Sequence, residues 1–173
     1  MGRVSDKVAM VTGGAGGIGA ATVRTLAREG ASVVVVDIDE TKATGVAKSV
    51  VDGGGVAIGV RADLSIESEV SAAVAAAVDR FGRLDILHNN AALTESDFLL
   101  RDTLVTEMTE EVWERTMDVN LRSQMFTCKY AIPEMVKHDG GSIINMSSGA
   151  SLSGDRTRTA YGVSKAGVNT LTK

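Results

Sequence analysis

The sequence is poor in several features that would decide a protein's class. It has one cysteine, Cys128, so no internal disulfide can form, and a lone thiol suits a reducing cytosol. Its two histidines, His88 and His138, have no partner at ligand spacing, which argues against a metal site. Lysine and arginine form no basic block of the kind that grips nucleic acid, and the formal charge of −4 is spread over mixed signs. No apolar stretch approaches the roughly 20 residues that cross a bilayer. Lys7 stands directly before the first short apolar run and leaves no room for a signal-peptide core. Asp6 occupies the place where myristoylation at Gly2 wants Ser or Thr. Internal repeats and linkers are also missing. The expectation is a cytoplasmic protein with no nucleic-acid and no membrane partner.

What is present fits one domain, residues 1–173. At 44% hydrophobic the chain can bury a sizeable core and is not a disordered one. Short apolar runs at 7–12, 32–37, 56–61, 84–88 and 142–146 read as strands. Helical stretches at 17–29, 39–51, 66–81 and 110–137, and from 159 onward, alternate with them. The run 33–36, four consecutive valines, reads as a strand covered on both faces of a parallel sheet. Ser65 is placed to cap the third helix, with Glu67 and Glu69 in its first turn. The stretch 110–137 carries a candidate break near Asp118, and Pro133, the single proline, should kink it or end it late. Residues 93–108 are the least regular and offer a rim for a cleft. This alternation predicts an α/β fold, a doubly wound parallel sheet with right-handed crossovers, binding its ligand at the C-terminal strand ends.

The most informative stretch is Thr12-Gly13-Gly14-Ala15-Gly16-Gly17-Ile18-Gly19. It lies between the first strand and the first helix. Glycines let the backbone approach a diphosphate, and the helix start offers N–H groups and partial positive charge. Gly14, Gly16 and Gly19 fit one dinucleotide spacing; Gly13, Gly17 and Gly19 fit another, and the residues alone leave both registers open. Asp37 ends the second strand at about the 20-residue offset of an acid that accepts from an adenosine ribose hydroxyl. Its carboxylate would repel a 2′-phosphate, and Ala15 and Gly16 supply no compensating base, which favours NAD over NADP. Asp37 could instead cap the following turn. Asp63 could accept from an adenine amino group, with Leu64 offering its N–H, or could be a capping acid of the loop.

Tyr161 and Lys165 share one helix face, four residues apart. A nearby ammonium favours a phenolate, so the pair could exchange protons near neutrality. An exposed helix face would carry the same spacing. Ser148, with Ser147 its rival one position away, could bond a substrate oxygen or merely satisfy loop backbone. Asn120 sits mid-helix, where a local break could free its carbonyl for water; a structural amide is the alternative. Cys128, Met125 and Trp113 read as packing residues.

As a set, these residues resemble the short-chain dehydrogenase/reductase family. The matching pieces are the glycine stretch 12–19, Asp37, Asp63-Leu64, Asn89-Asn90-Ala91-Ala92, Asn120 in D-V-N-L, I-N-M-S-S at 144–148 and Y-G-V-S-K at 161–165. The resemblance implies a Rossmann fold and selects the register of Gly13, Gly17 and Gly19. It implies a catalytic tetrad of Asn120, Ser148, Tyr161 and Lys165. Tyr161 would pass the proton, Ser148 orient the substrate oxygen, Lys165 assist the phenol and hold the nicotinamide ribose, and Asn120 fix a relay water. The implied cofactor site comprises Gly13, Gly16, Gly17, Ile18, Gly19, Asp37, Ile38, Asp63, Leu64, Asn90, Ala91, Tyr161 and Lys165. The implied activity is hydride transfer between NAD(H) and a secondary alcohol or ketone, in a protein that is a dimer or tetramer at full length. A non-catalytic nucleotide-binding module or an inactive fragment of such an enzyme is the alternative. Two departures accompany the match. Ala92 stands where the family commonly has glycine. Family members also usually continue past Lys173 through two more strands and a substrate-binding helix. The resemblance therefore implies a fold incomplete at its C-terminus, without much of the substrate pocket. That pocket would draw on 93–108 and 149–159.

Overall fold

A computed structural model describes residues 2–154 and 157–173. Five parallel strands form one sheet in the order β3-β2-β1-β4-β5, namely β1 (Val8–Thr12), β2 (Ser32–Asp37), β3 (Val56–Arg61), β4 (Ile86–Asn89) and β5 (Ser142–Asn145). The order reverses between β1 and β4, and that crevice is where such a sheet receives a ligand. Helices α1 (Gly17–Arg28), α2 (Glu40–Asp52), α3 (Glu67–Phe81) and α6 (Ser123–Val136) cover the two faces. A short α4 (Ser96–Leu99), α5 (Glu110–Met117) and α7 (Thr159–Leu171) complete the chain. None of the helices among the described residues is long and apolar enough to cross a membrane.

The valine run of β2 explains the two layers. Successive strand side chains point to opposite faces. Val34 and Val36 join Val8 and Met10 of β1 in a core closed by α3 and α6. Val33 and Val35 join Ala9 and Val11 in a second core closed by α1 and α2. All four valines are fully buried, as expected of a strand covered on both sides. The register Val11↔Val35 and Thr12↔Val36 brings the ends of β1 and β2 level, so that the glycine turn and Asp37 emerge together.

One local expectation is corrected and two are refined. Ser65 does not cap α3; Ile66 occupies the cap position and supplies no side-chain bond. The Ser65 N–H and hydroxyl both donate to Asp63 Oδ1, at 2.9 and 2.6 Å, so the serine is spent on the preceding turn. In the helical stretch 110–137 the break expected near Asp118 is a π-helical turn, Asp118–Arg122, between α5 and α6. Pro133 lies in the last turn of α6, which ends at Val136.

Candidate active site

The turn after β1 bends tightly because two of its residues are left-handed: Gly13 at φ 59° and Gly17 at φ 49°. Gly19 serves another purpose. A Cβ there would lie 2.0 Å from the Gly13 carbonyl oxygen, so only glycine lets α1 press against the turn. Gly16, the N-cap of α1, is extended and has nothing within 4 Å of where a Cβ would be, leaving the helix start open toward the crevice. The turn is braced from β4. Asn90 Nδ2 donates to the carbonyls of Thr12 and Gly13, at 3.1 Å each, and the N–H groups of Asn90 and Ala91 donate to Thr12 Oγ1.

One cleft of about 610 Å³ opens above this crevice, within the range of small-molecule and cofactor sites. Of the residues expected to hold a dinucleotide, Gly13, Gly16, Gly17, Ile18, Asp37, Ile38, Asp63, Leu64, Asn90, Ala91, Tyr161 and Lys165 line it. Gly19 does not; it lies behind the wall and shapes it. The Asp37 carboxylate accepts from Ala15 N–H at 3.1 Å and from Asp39 N–H at 3.2 Å, tying the end of β2 to the glycine turn. The cap of α2 is Asp39, while the bond from Asp39 N–H makes Asp37 the acid that caps the turn before that helix. Burial would raise the pKa of Asp63, but the Ser65 bonds and the nearby Arg115 and Arg61 charges outweigh it and hold the carboxyl below its usual range.

The opposite end of the cleft is built by α7. Lys165 is 1% exposed, and its Nζ donates to the Met146 carbonyl at 2.7 Å. The ammonium stands 5.8 Å from the centre of the Tyr161 ring. Burial, with no carboxylate to offset it, pulls the lysine pKa down to about 8. Tyr161 is half-buried on the wall.

The other two members of the expected tetrad lie nearby but outside the lining. Asn120 is wholly buried in the π-helical turn; its side-chain oxygen accepts from Leu93 N–H at 2.8 Å and its Nδ2 donates to Ser164 Oγ at 3.2 Å. Its carbonyl, the expected water site, accepts from Gln124 Nε2 at 3.2 Å, which occupies one of its two lone pairs. Ser148 caps a 3₁₀ turn, Gly149–Ser151, by accepting from Ala150 N–H at 3.2 Å. Its rival Ser147 does line the cleft, but donates to the Lys165 carbonyl at 3.0 Å. The substrate-pocket role expected of 149–159 falls partly on residues 155 and 156, which lie outside the described residues. Leu93, Thr94 and Glu95 of the irregular segment line the cleft; its remainder does not.

Cys128 is a core residue, its thiol pKa pushed up by burial. No group of three or more potential metal ligands occurs among the described residues. Sequence reasoning missed Arg115, whose Nη1 donates to Ser65 Oγ at 3.2 Å and which lines the cleft beside Asp63. It also missed Asp102, which accepts from the first turn of α7. Neither stands in a recognisable motif.

A profile of a family described as short chain dehydrogenase matches residues 7–173. A probable short-chain type dehydrogenase/reductase of Bradyrhizobium diazoefficiens is 41% identical over 171 residues, covering 99% of this chain and 60% of the relative. The trans-4-hydroxycyclohexanecarboxylate dehydrogenase of Sinomonas cyclohexanicum is 40% identical, covering 99% of this chain and 66% of the relative. Among solved structures, a 7α-hydroxysteroid dehydrogenase complexed with NADH and 7-oxo glycochenodeoxycholic acid superposes with a TM-score of 0.90 at 33% identity. That match covers 98% of this chain and 64% of the other. The chain thus spans about two thirds of the length of these relatives.

Proposed function

Since the chain belongs to the short-chain dehydrogenase family, we propose that it is the cofactor-binding and catalytic part of an oxidoreductase acting on a secondary alcohol or ketone with NAD(H). One observation carries this reading: a single cleft runs from the glycine turn to a buried ammonium beside a tyrosine ring. The residues present fit a dinucleotide. The open N-terminus of α1, with space at Gly16, is a seat for a diphosphate. Asp37 would accept from the adenosine ribose with Ile38 alongside, Asp63 and Leu64 would meet the adenine, and Asn90 and Ala91 would back the chain between them. Tyr161 and Lys165 would hold the nicotinamide ribose. The Asp37 carboxylate disfavours a 2′-phosphate, which supports NAD over NADP.

When bound, the dinucleotide supplies or takes the hydride. The protein's own part is the proton. Tyr161 gives its phenolic proton to the substrate oxygen, or removes one, and the Lys165 ammonium stabilises the negative charge that develops on the phenol oxygen. Ser148 accepts from Ala150, which leaves its O–H to donate to the substrate oxygen. Asn120, pinned to α7 through Ser164, would offer its carbonyl to the water that replenishes the proton. Exposed apolar side chains on α6 and α7, among them Ile132, Val136 and Val163, support a homo-oligomer at full length. The single buried thiol of Cys128 supports a cytoplasmic location.

The test is Tyr161→Phe, assayed for NAD(H)-linked turnover over a panel of secondary alcohols and ketones and for NADH affinity. Turnover should vanish while NADH affinity falls by no more than about tenfold, since the phenol is only one of many contacts that would hold the dinucleotide. Undiminished turnover in this variant refutes the assignment. NADH binding with no turnover in the wild type would point to the binding-module alternative.

A further inference from the structure

The helix that carries Tyr161 and Lys165 begins without a cap of its own. The residue before α7, Arg158, is left-handed at φ 57° and supplies no side-chain cap bond. The first turn of a helix leaves N–H groups that need an acceptor. Here the acceptor comes from far along the chain. Asp102 Oδ1 accepts from Ala160 N–H at 3.0 Å, and Asp102 Oδ2 accepts from Tyr161 N–H at 2.8 Å. The Asp102 carbonyl accepts from Arg158 N–H at 2.8 Å, and the Thr103 carbonyl accepts from Thr159 Oγ1 at 3.2 Å. Asp102 is itself 3% exposed, so water does not share this duty.

We propose that Asp102 is the positioning residue of Tyr161: its carboxylate caps α7 from a distance and fixes where the tyrosine enters the cleft. This rests on the proton-transfer role assigned to Tyr161 above. The chemistry explains why a carboxylate is used. A carboxylate gives each of these two adjacent N–H groups an oxygen of its own. Asparagine presents one, and serine or threonine one. The negative charge also suits the positive end of the helix. Because the bond falls on the backbone N–H of Tyr161 itself, slack at this point passes directly to the phenol. A misplacement of about 1 Å at a reacting group costs on the order of a hundredfold in rate.

The experiment uses Asp102→Ala, with Asp102→Asn as the conservative variant that keeps one acceptor. The chain has two tyrosines, Tyr130 and Tyr161. Labelling with 3-fluorotyrosine therefore gives two fluorine resonances, assigned by Tyr161→Phe. In Asp102→Ala the Tyr161 line should shift and broaden while the Tyr130 line stays, and kcat should fall about tenfold or more with a much smaller loss of NADH affinity. Asp102→Asn should fall between Asp102→Ala and the wild type in both readouts. The proposal is overturned if the Tyr161 line of either variant coincides with that of the wild type. It is also overturned if both tyrosine lines move together, which marks general loosening rather than positioning. A wild-type chain that turns over no alcohol or ketone removes the hydride-transfer reading instead, and the fluorine lines still decide the role of Asp102.

Discussion

Lys165→Met should abolish a specific rise in stability with pH. The lysine is buried, its ammonium is met by the Met146 carbonyl, and burial brings its pKa from the usual 10.5 to about 8. A buried base with a depressed pKa weakens the fold whenever it is protonated. Between about pH 8 and pH 10.5 the unfolded chain still holds the proton that the folded chain has released. Unfolding free energy therefore climbs with pH across that window. At about 1.4 kcal/mol per pH unit, the interval from about 8 to 10.5 corresponds to about 3 kcal/mol. Replacing the lysine by methionine, of similar length and no charge, removes this climb. The Met146 carbonyl then lacks a donor, which costs about 1–3 kcal/mol, but that cost is the same at every pH. Urea denaturation of both proteins, followed by circular dichroism at several pH values from about 7 to 10.5, isolates the lysine in the difference between the curves. The difference should shift by about 3 kcal/mol in favour of the wild type as pH rises. Parallel curves would refute the claim that the buried ammonium is a destabilising charge retained for chemistry.

Two further outcomes follow from the glycine turn and its acid. Gly19→Ala puts a methyl group 2.0 Å from the Gly13 carbonyl oxygen and 2.8 Å from Asn90 Nδ2. Chemical denaturation should show a loss of about 1–3 kcal/mol, with NADH affinity down at least about tenfold as the turn shifts. Asp37→Ala removes the charge that faces a 2′-phosphate. Parallel titrations should show the preference for NADH over NADPH narrowing by about tenfold or more, because like charges in contact cost several kcal/mol.

How much was legible in advance depended on the range of the interaction. The valines 33–36 announced a strand covered on both faces, and both cores confirm the period of two. The glycine turn and Asp37 were legible as neighbours because each ends a strand, and parallel strands in register deliver their ends to one place. Short-range competition was harder to read. Ser65 looked like a helix cap, but the two-residue reach to Asp63 won its hydroxyl. The widening at Asp118–Arg122 was sensed only as a break, since nothing local predicts that Asn120 will bond Leu93 and Ser164. Asp102 was illegible. Its partners lie 58 and 59 residues further on, and it sits in a stretch with no periodicity of its own.

The account stands on a dinucleotide seated between the glycine turn and Lys165, and titration of the folded wild-type chain with NADH, followed by calorimetry, tests that most directly. Saturable binding of one NADH per chain, weakened by Gly19→Ala, is the predicted result. A chain shown by circular dichroism to be folded, yet giving no saturable heat with NADH, would contradict it.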